Sequence, residues 1–222
     1  NLFPGDIVSG IAGAFERVGT ASTPAPTAPP APTAPPAAPR LGIVAGHSGP
    51  QNDPGAVCPD GLTEASVNLD IATRVKAGLE ANGFQVDLLT EFDDRLVGYE
   101  ALAVVSIHND SCAFIDADPP ATGFKVARAI NSGVPEKADR LVACLADRYP
   151  KQTGLPFHRN SITPDMTQYH SYDELDRETP AAIIETGFLN LDRTEEPYRV
   201  AQGVIDGVLC YVLNQPVSTP SP

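Results

Sequence analysis

The 222-residue chain contains no tryptophan, and no apolar run in it approaches the roughly 20 residues needed to cross a bilayer. Basic residues are scarce: 15 Lys and Arg stand against 28 Asp and Glu, for a net charge of -13. So acidic a chain repels phosphate backbones and anionic lipid surfaces, which excludes nucleic acid as a partner. Cysteine is sparse, and none of the four (Cys58, Cys112, Cys144, Cys210) forms a C-x-x-C zinc or redox pair. An even count suits two disulfides in an oxidising compartment, with three pairings open, and four buried thiols are the alternative. No internal repeat is visible.

Proline, by contrast, is abundant and unevenly spread. Eight of the 23 prolines fall between Pro24 and Pro39, in a tract otherwise made only of Ala and Thr. Residues 20–39 read as a disordered, uncharged, polyproline-type linker, about 60 Å long if fully extended at about 3.1 Å per residue. Residues 1–19 carry Ile7, Val8, Ile11, Ala12 and Phe15 at loosely helical spacing, which fits a short helix or the tail of an upstream segment. The remaining composition, with 42% hydrophobic residues over the whole chain, supports a real core. One domain is expected over 40–214, followed by a tail over 215–222.

Within that domain the pattern is α/β. Leu41-Gly-Ile-Val-Ala-Gly46 reads as a short buried strand. Thr63 is placed to cap a helix whose stripe runs Val67, Ile71, Val75, Leu79, and Asn82-Gly83 is placed to stop it. Residues 84–89 and 102–107 read as strands, the second apolar throughout as in a parallel sheet buried on both faces. A fourth strand falls within 123–130 and another at 181–184. Helices are expected over 135–148 and 196–213, the latter with Val200, Val204, Val208 and Val212 in one stripe. Strands alternating with helices predict a single domain with a mostly parallel sheet covered by helices on both faces.

Three of these strands end in a titratable residue. His47 follows the first, in Ala45-Gly-His-Ser-Gly49. His108 follows the third, in Ser106-Ile-His-Asn-Asp110, and Glu185 follows the late strand, in Ile183-Ile-Glu-Thr-Gly187. In open parallel sheets the functional crevice lies beyond the carboxyl ends of the strands. Glu64 lies three residues before Val67, along the core-facing stripe of its helix, where an unpaired carboxylate is costly. Taken singly, each has an ordinary structural explanation: a hydrogen-bonded histidine, a carboxylate at a helix N-terminus, a solvated loop residue. Taken together, two imidazoles and a carboxylate are the donor set of a catalytic zinc site that keeps one position open. Glu185 is then left over as a base.

The same residues carry a resemblance. Ile43-Val-Ala-Gly-His-Ser-Gly49, the Asp53-Pro-Gly-Ala56 turn, Leu62-Thr-Glu-Ala-Ser-Val-Asn-Leu69, Ser106-Ile-His-Asn109 and Pro180-Ala-Ala-Ile-Ile-Glu-Thr-Gly-Phe-Leu-Asn190 resemble, in order, the zinc-dependent N-acetylmuramoyl-L-alanine amidases that cleave bacterial peptidoglycan. The resemblance spans residues 41–213. It implies that His47, Glu64 and His108 bind one Zn2+ per chain and that Glu185 is the catalytic carboxylate. It also implies that peptidoglycan or its muropeptide fragments are the partner. The chain departs from the family in two places. An Arg is common shortly after the second strand, where this chain reads Leu89-Thr-Glu-Phe-Asp93, and an Ala is common where Asn109 stands.

His170, just before the Glu185 strand, and Asn109 are candidate substrate contacts, whereas His158 reads as a loop residue. Asn68, beside the core stripe, is placed either to orient a metal ligand or simply on the helix surface. If both histidines bind one metal, the loops carrying Cys58 and Cys112 are neighbours, which makes Cys58–Cys112 the natural bridge and leaves Cys144–Cys210 between two helices. The expectation is a monomeric, extracytoplasmic hydrolase: secreted, periplasmic, or tethered to the cell surface through its linker. Two rivals are a zinc peptidase that cuts within the stem peptide and a non-catalytic module that binds peptidoglycan.

Overall fold

The computed structural model describes residues 38–114, 121–192 and 196–218. The expected N-terminal segment 1–19, the spacer up to residue 37 and the end of the tail lie outside the described residues. The first half of the fold runs β1 (Arg40–Ala45), α1 (Glu64–Ala81), β2 (Gln85–Thr90), β3 (Val104–Asp110) and β4 (Lys125–Arg128). It continues with α2 (Pro135–Thr153), α3 (Pro164–Thr167), α4 (Ser171–Glu174), β5 (Ala181–Phe188) and α5 (Pro197–Val212).

Five strands form one sheet in the order β2-β1-β3-β5-β4. The β1–β2, β1–β3 and β3–β5 pairs are parallel, and only the edge strand β4 runs antiparallel, against β5. The mostly parallel sheet is thus as expected. Alternate residues of each strand feed different faces. Leu41, Ile43, Ala45, Val105, Ile107 and Ile184 pack under α1, α2 and α5. Val44, Val104, Ala127 and Ile183 face the opposite side. Both faces are covered, but unequally: the three long helices share one face, while the other is closed by short helices and connecting segments through Leu96, Tyr99, Met166 and Tyr169.

The start and stop signals of α1 act as the sequence suggests. The Thr63 side chain accepts from the Ser66 N–H at 3.3 Å, and Gly83, at φ +89°, turns the chain after Asn82. Helix α2 runs past residue 148 to Thr153, carrying Pro150 inside its last turn before the left-handed Gly154 ends it. Where α5 crosses α2, a Cβ on Gly207 would lie 2.9 Å from the Leu145 Cα, so the absence of a side chain sets how closely the helices approach. Cys144 and Cys210 form a fully buried disulfide between these two helices.

Strand order also fixes where a site can form. From β1 the chain moves outward to β2 and then returns to the other side of β1 as β3. The switch in direction opens a crevice at the carboxyl ends of β1 and β3.

Candidate active site

His47 follows β1 at that crevice, with its backbone in the left-handed region at φ +57°, uncommon for a residue with a side chain. Its neighbour Gly46 donates to the Ile107 carbonyl on β3 at 3.0 Å. A Cβ on Gly46 would lie 2.2 Å from the His108 ring, so the glycine makes room for the second imidazole. His108 and Glu185 lie within strands rather than just beyond them, because β3 extends to Asp110 and β5 to Phe188, with His108 and Glu185 paired in register. Glu64 enters from the first turn of α1 and is 5% exposed.

The three converge. His47 Nε2 and His108 Nδ1 each lie 3.3 Å from Glu64 Oε1, and one donor atom from each residue falls within 4.8 Å of the others. Donors held about 2.0–2.1 Å from a tetrahedral zinc are separated by about 3.3 Å, so the set fits that ion. The surroundings fix the donors. Asp53 lies 2.9 Å from His47 Nδ1, which leaves Nε2 to face the centre. Glu64 accepts from the Ala56 N–H at 3.1 Å, and from the Asn68 Nδ2 and the Asn109 N–H at 3.2 Å each.

Charge follows geometry. The Glu64 hydrogen bond raises the His47 pKa to about 9 against the opposing effect of burial, and Asp53 adds to the rise. Burial would raise the Glu64 pKa, but hydrogen bonds from His108 and His47 outweigh it and hold the carboxyl well below the usual range. Glu185 behaves in the opposite way. Burial pushes its pKa up to about 7, with Glu64 and Asp110 adding to the rise and the positive charges of His108 and Lys125 opposing it. Its Oε2 is enclosed without a hydrogen-bond partner. Two glutamates side by side are thereby driven apart: one is a fixed anion, the other a group poised to exchange a proton near neutrality.

Asn109 is 8% exposed, and its amide is committed: Nδ2 donates to Asn68 Oδ1 at 2.9 Å and Oδ1 accepts from the Thr186 hydroxyl at 2.8 Å. His170 stacks on Phe92 with ring centres 4.3 Å apart and lies 3.4 Å from Glu91 Oε1. His158 stays outside the cluster, bonded to Ser161 and edge-on to Phe188. Cys58 and Cys112, in the loops after β1 and β3, are joined by a disulfide.

Sequence reasoning assigned no role to Glu91, Tyr169 or Lys125. Glu91 immediately follows β2, so the strand-end rule that singled out the two histidines applies to it equally. Lys125 is buried on β4 in register with Glu185 and ion-paired to Asp110.

The profile of the N-acetylmuramoyl-L-alanine amidases matches residues 41–204. The chain belongs to this family. The amidase therefore acts on peptidoglycan, at the amide between N-acetylmuramic acid and L-alanine. Its fold is shared by an N-acetylmuramoyl-L-alanine amidase of Clostridium difficile 630, with TM-score 0.61 and 20% identity over 81% of this chain and 99% of that one. Ami1 of Mycobacterium smegmatis gives TM-score 0.59 and 17% identity over 81% and 99%. AmiC2 of Nostoc punctiforme gives 0.55 and 23% over 78% and 97%. No match is found among curated proteins.

Proposed function

We propose that the amidase is a zinc enzyme in which His47, Glu64 and His108 hold the ion and Glu185 is the general base. The observation that carries this reading is the convergence of His47 Nε2, His108 Nδ1 and Glu64 Oε1, with the Glu185 carboxyl adjacent to His108 across the β3–β5 pair. Zinc in such a site supplies a Lewis acid for the amide carbonyl and lowers the pKa of water toward about 7. Glu185, with a pKa near neutrality, takes the proton from the attacking water and returns it to the departing alanyl nitrogen. Glu64 remains an anion throughout. Asn68 and Asn109 hold its Oε1 in place rather than meeting substrate, since their amides are engaged with one another. His47 must lose the proton that Glu64 and Asp53 favour before it can ligate, so metal uptake releases a proton.

The same reading places the enzyme outside the cytoplasm. Peptidoglycan lies there, and two disulfides fit an oxidising compartment. Among the described residues no helix is long and apolar enough to cross a membrane.

Elemental analysis of purified protein beside peptidoglycan digestion tests the proposal. Close to one zinc per wild-type chain is expected, little in His47→Ala, and stem peptides with new alanyl N-termini among the wild-type products. Wild-type protein that took up no supplied zinc would overturn it.

A further inference from the structure

We infer that Glu91 is a positioning residue for the metal centre, acting by holding His47 in its left-handed backbone conformation; the inference rests on the reading of His47 as a ligand. The Glu91 carboxylate accepts the His47 backbone N–H at 2.6 Å, a charge-assisted bond to a residue at φ +57°. Its Oε2 also lies 3.7 Å from His47 Nδ1. In the reverse direction the Glu91 N–H donates to the Ser48 carbonyl at 3.1 Å. The end of β2 and the turn after β1 are thus clamped at two points, one on each side of the peptide that follows His47.

The clamp is itself held. Glu91 is 6% exposed, and its Oε1 accepts from the Tyr169 hydroxyl at 3.1 Å and lies 3.4 Å from His170 Nε2. Tyr169 in turn sets its ring edge-on to His108, with centres 5.2 Å apart. One buried carboxylate therefore reaches both imidazoles, the first directly and the second through Tyr169. Left alone, a left-handed non-glycine residue relaxes to an ordinary conformation and carries its side chain elsewhere. His47 needs an acceptor at this place to stay aimed at Glu64 and His108.

Zinc titration of metal-free protein against a chromophoric chelator tests this, with melting of the metal-free forms followed in parallel. Glu91→Ala is expected to weaken zinc binding about 10- to 100-fold, the usual effect of losing a partner that orients a ligand. Glu91→Gln keeps an acceptor oxygen and is expected to bind within a few-fold of wild type. Tyr169→Phe, which frees the carboxylate from its hydroxyl, should lose a few-fold. A folded Glu91→Ala protein with wild-type zinc affinity overturns the inference. If that variant does not fold, unchanged affinity in Tyr169→Phe overturns it instead. Failure of the wild type to bind zinc sinks the metal reading itself, a different and separable result.

Discussion

At the crossing of α2 and α5, Gly207 admits the backbone of Leu145, Cys144 and Cys210 are joined in full burial, and the surrounding side chains are apolar. At the carboxyl ends of β1, β3 and β5 a glycine also makes room, but for an imidazole. There the chain buries Glu64, Glu91 and His108, encloses Glu185 Oε2 and His108 Nε2 without hydrogen-bond partners, and keeps His47 in a strained conformation. Buried polar groups and backbone strain each cost stability, and a domain tolerates them where the rest of the structure supplies the surplus. In this amidase the helical layer supplies stability and the strand ends consume it.

The largest expected effect sharpens this contrast at Glu185. Glu185→Gln removes the proton acceptor and keeps the shape, so turnover on peptidoglycan should fall about 10²- to 10⁴-fold. Zinc content should stay at the wild-type level and melting temperature should not drop, because a neutral amide replaces a carboxyl that burial disfavours as an anion. A variant that kept its rate would place the base elsewhere, and one that lost its zinc would make Glu185 part of the metal site.

Next come the two disulfides, which close loops of similar span, 54 and 66 residues apart in sequence. Chain entropy alone assigns about 4 kcal/mol to each. The Cys144→Ala/Cys210→Ala protein should lose about 2–4 kcal/mol of unfolding free energy and bind zinc normally when folded. Cys58→Ala/Cys112→Ala should lose comparable stability and also bind zinc more weakly, since its bridge ties the loop after His47 to the segment after His108. Denaturant melts and zinc titrations of both proteins check the distinction. Equal zinc affinity in the two variants erases it.

These contrasts also explain what the sequence disclosed. Periodicity revealed the helical layer because apolar stripes such as Ile71, Val75 and Leu79 are local signals that tertiary packing then uses directly. The strand-end rule found His47, His108 and Glu185, and a buried position at a helix start found Glu64. Asn68 was visible as a neighbour of the core stripe. What stayed hidden was set by pairing. Nothing local in Thr90-Glu-Phe says that Glu91 will meet the backbone of a residue 44 positions earlier. Helix α2 runs past its expected end at residue 148 because Pro150 falls in its last turn, and the chain leaves the helix only at the left-handed Gly154. The one-turn helices α3 and α4 are too short for any period to register.

The smallest effect is the pH response of Glu185. Its pKa stands near 7 in the fold, above the ordinary carboxyl value of 4.5. The protonated form is therefore favoured by folding, and its stabilising contribution is present below about 4.5 and lost as pH rises to about 7. Activity needs the ionised form, so it should fall about tenfold per pH unit on the acid side of a limb no higher than about 7, a nearby cation drawing the limb down. Over that window the wild type gains activity while losing stability relative to Glu185→Gln. Parallel rate and melting profiles test this, and a rate that stayed flat down to pH 4 would contradict it.

The Cys58–Cys112 bridge bears on metal choice as well as on shape. A free thiolate is a softer and stronger donor to zinc than a carboxylate. Cys112 is four residues beyond His108, and Cys58 shares the loop that carries His47. Were both reduced, two thiolates would stand in the loops that flank the proposed zinc site, where sulfur ligation would compete for the position that catalysis needs open. Joining them in a disulfide removes both competitors at once. On the zinc reading, the bridge thus leaves the His47, Glu64 and His108 set without a thiolate competitor in the loops that flank it.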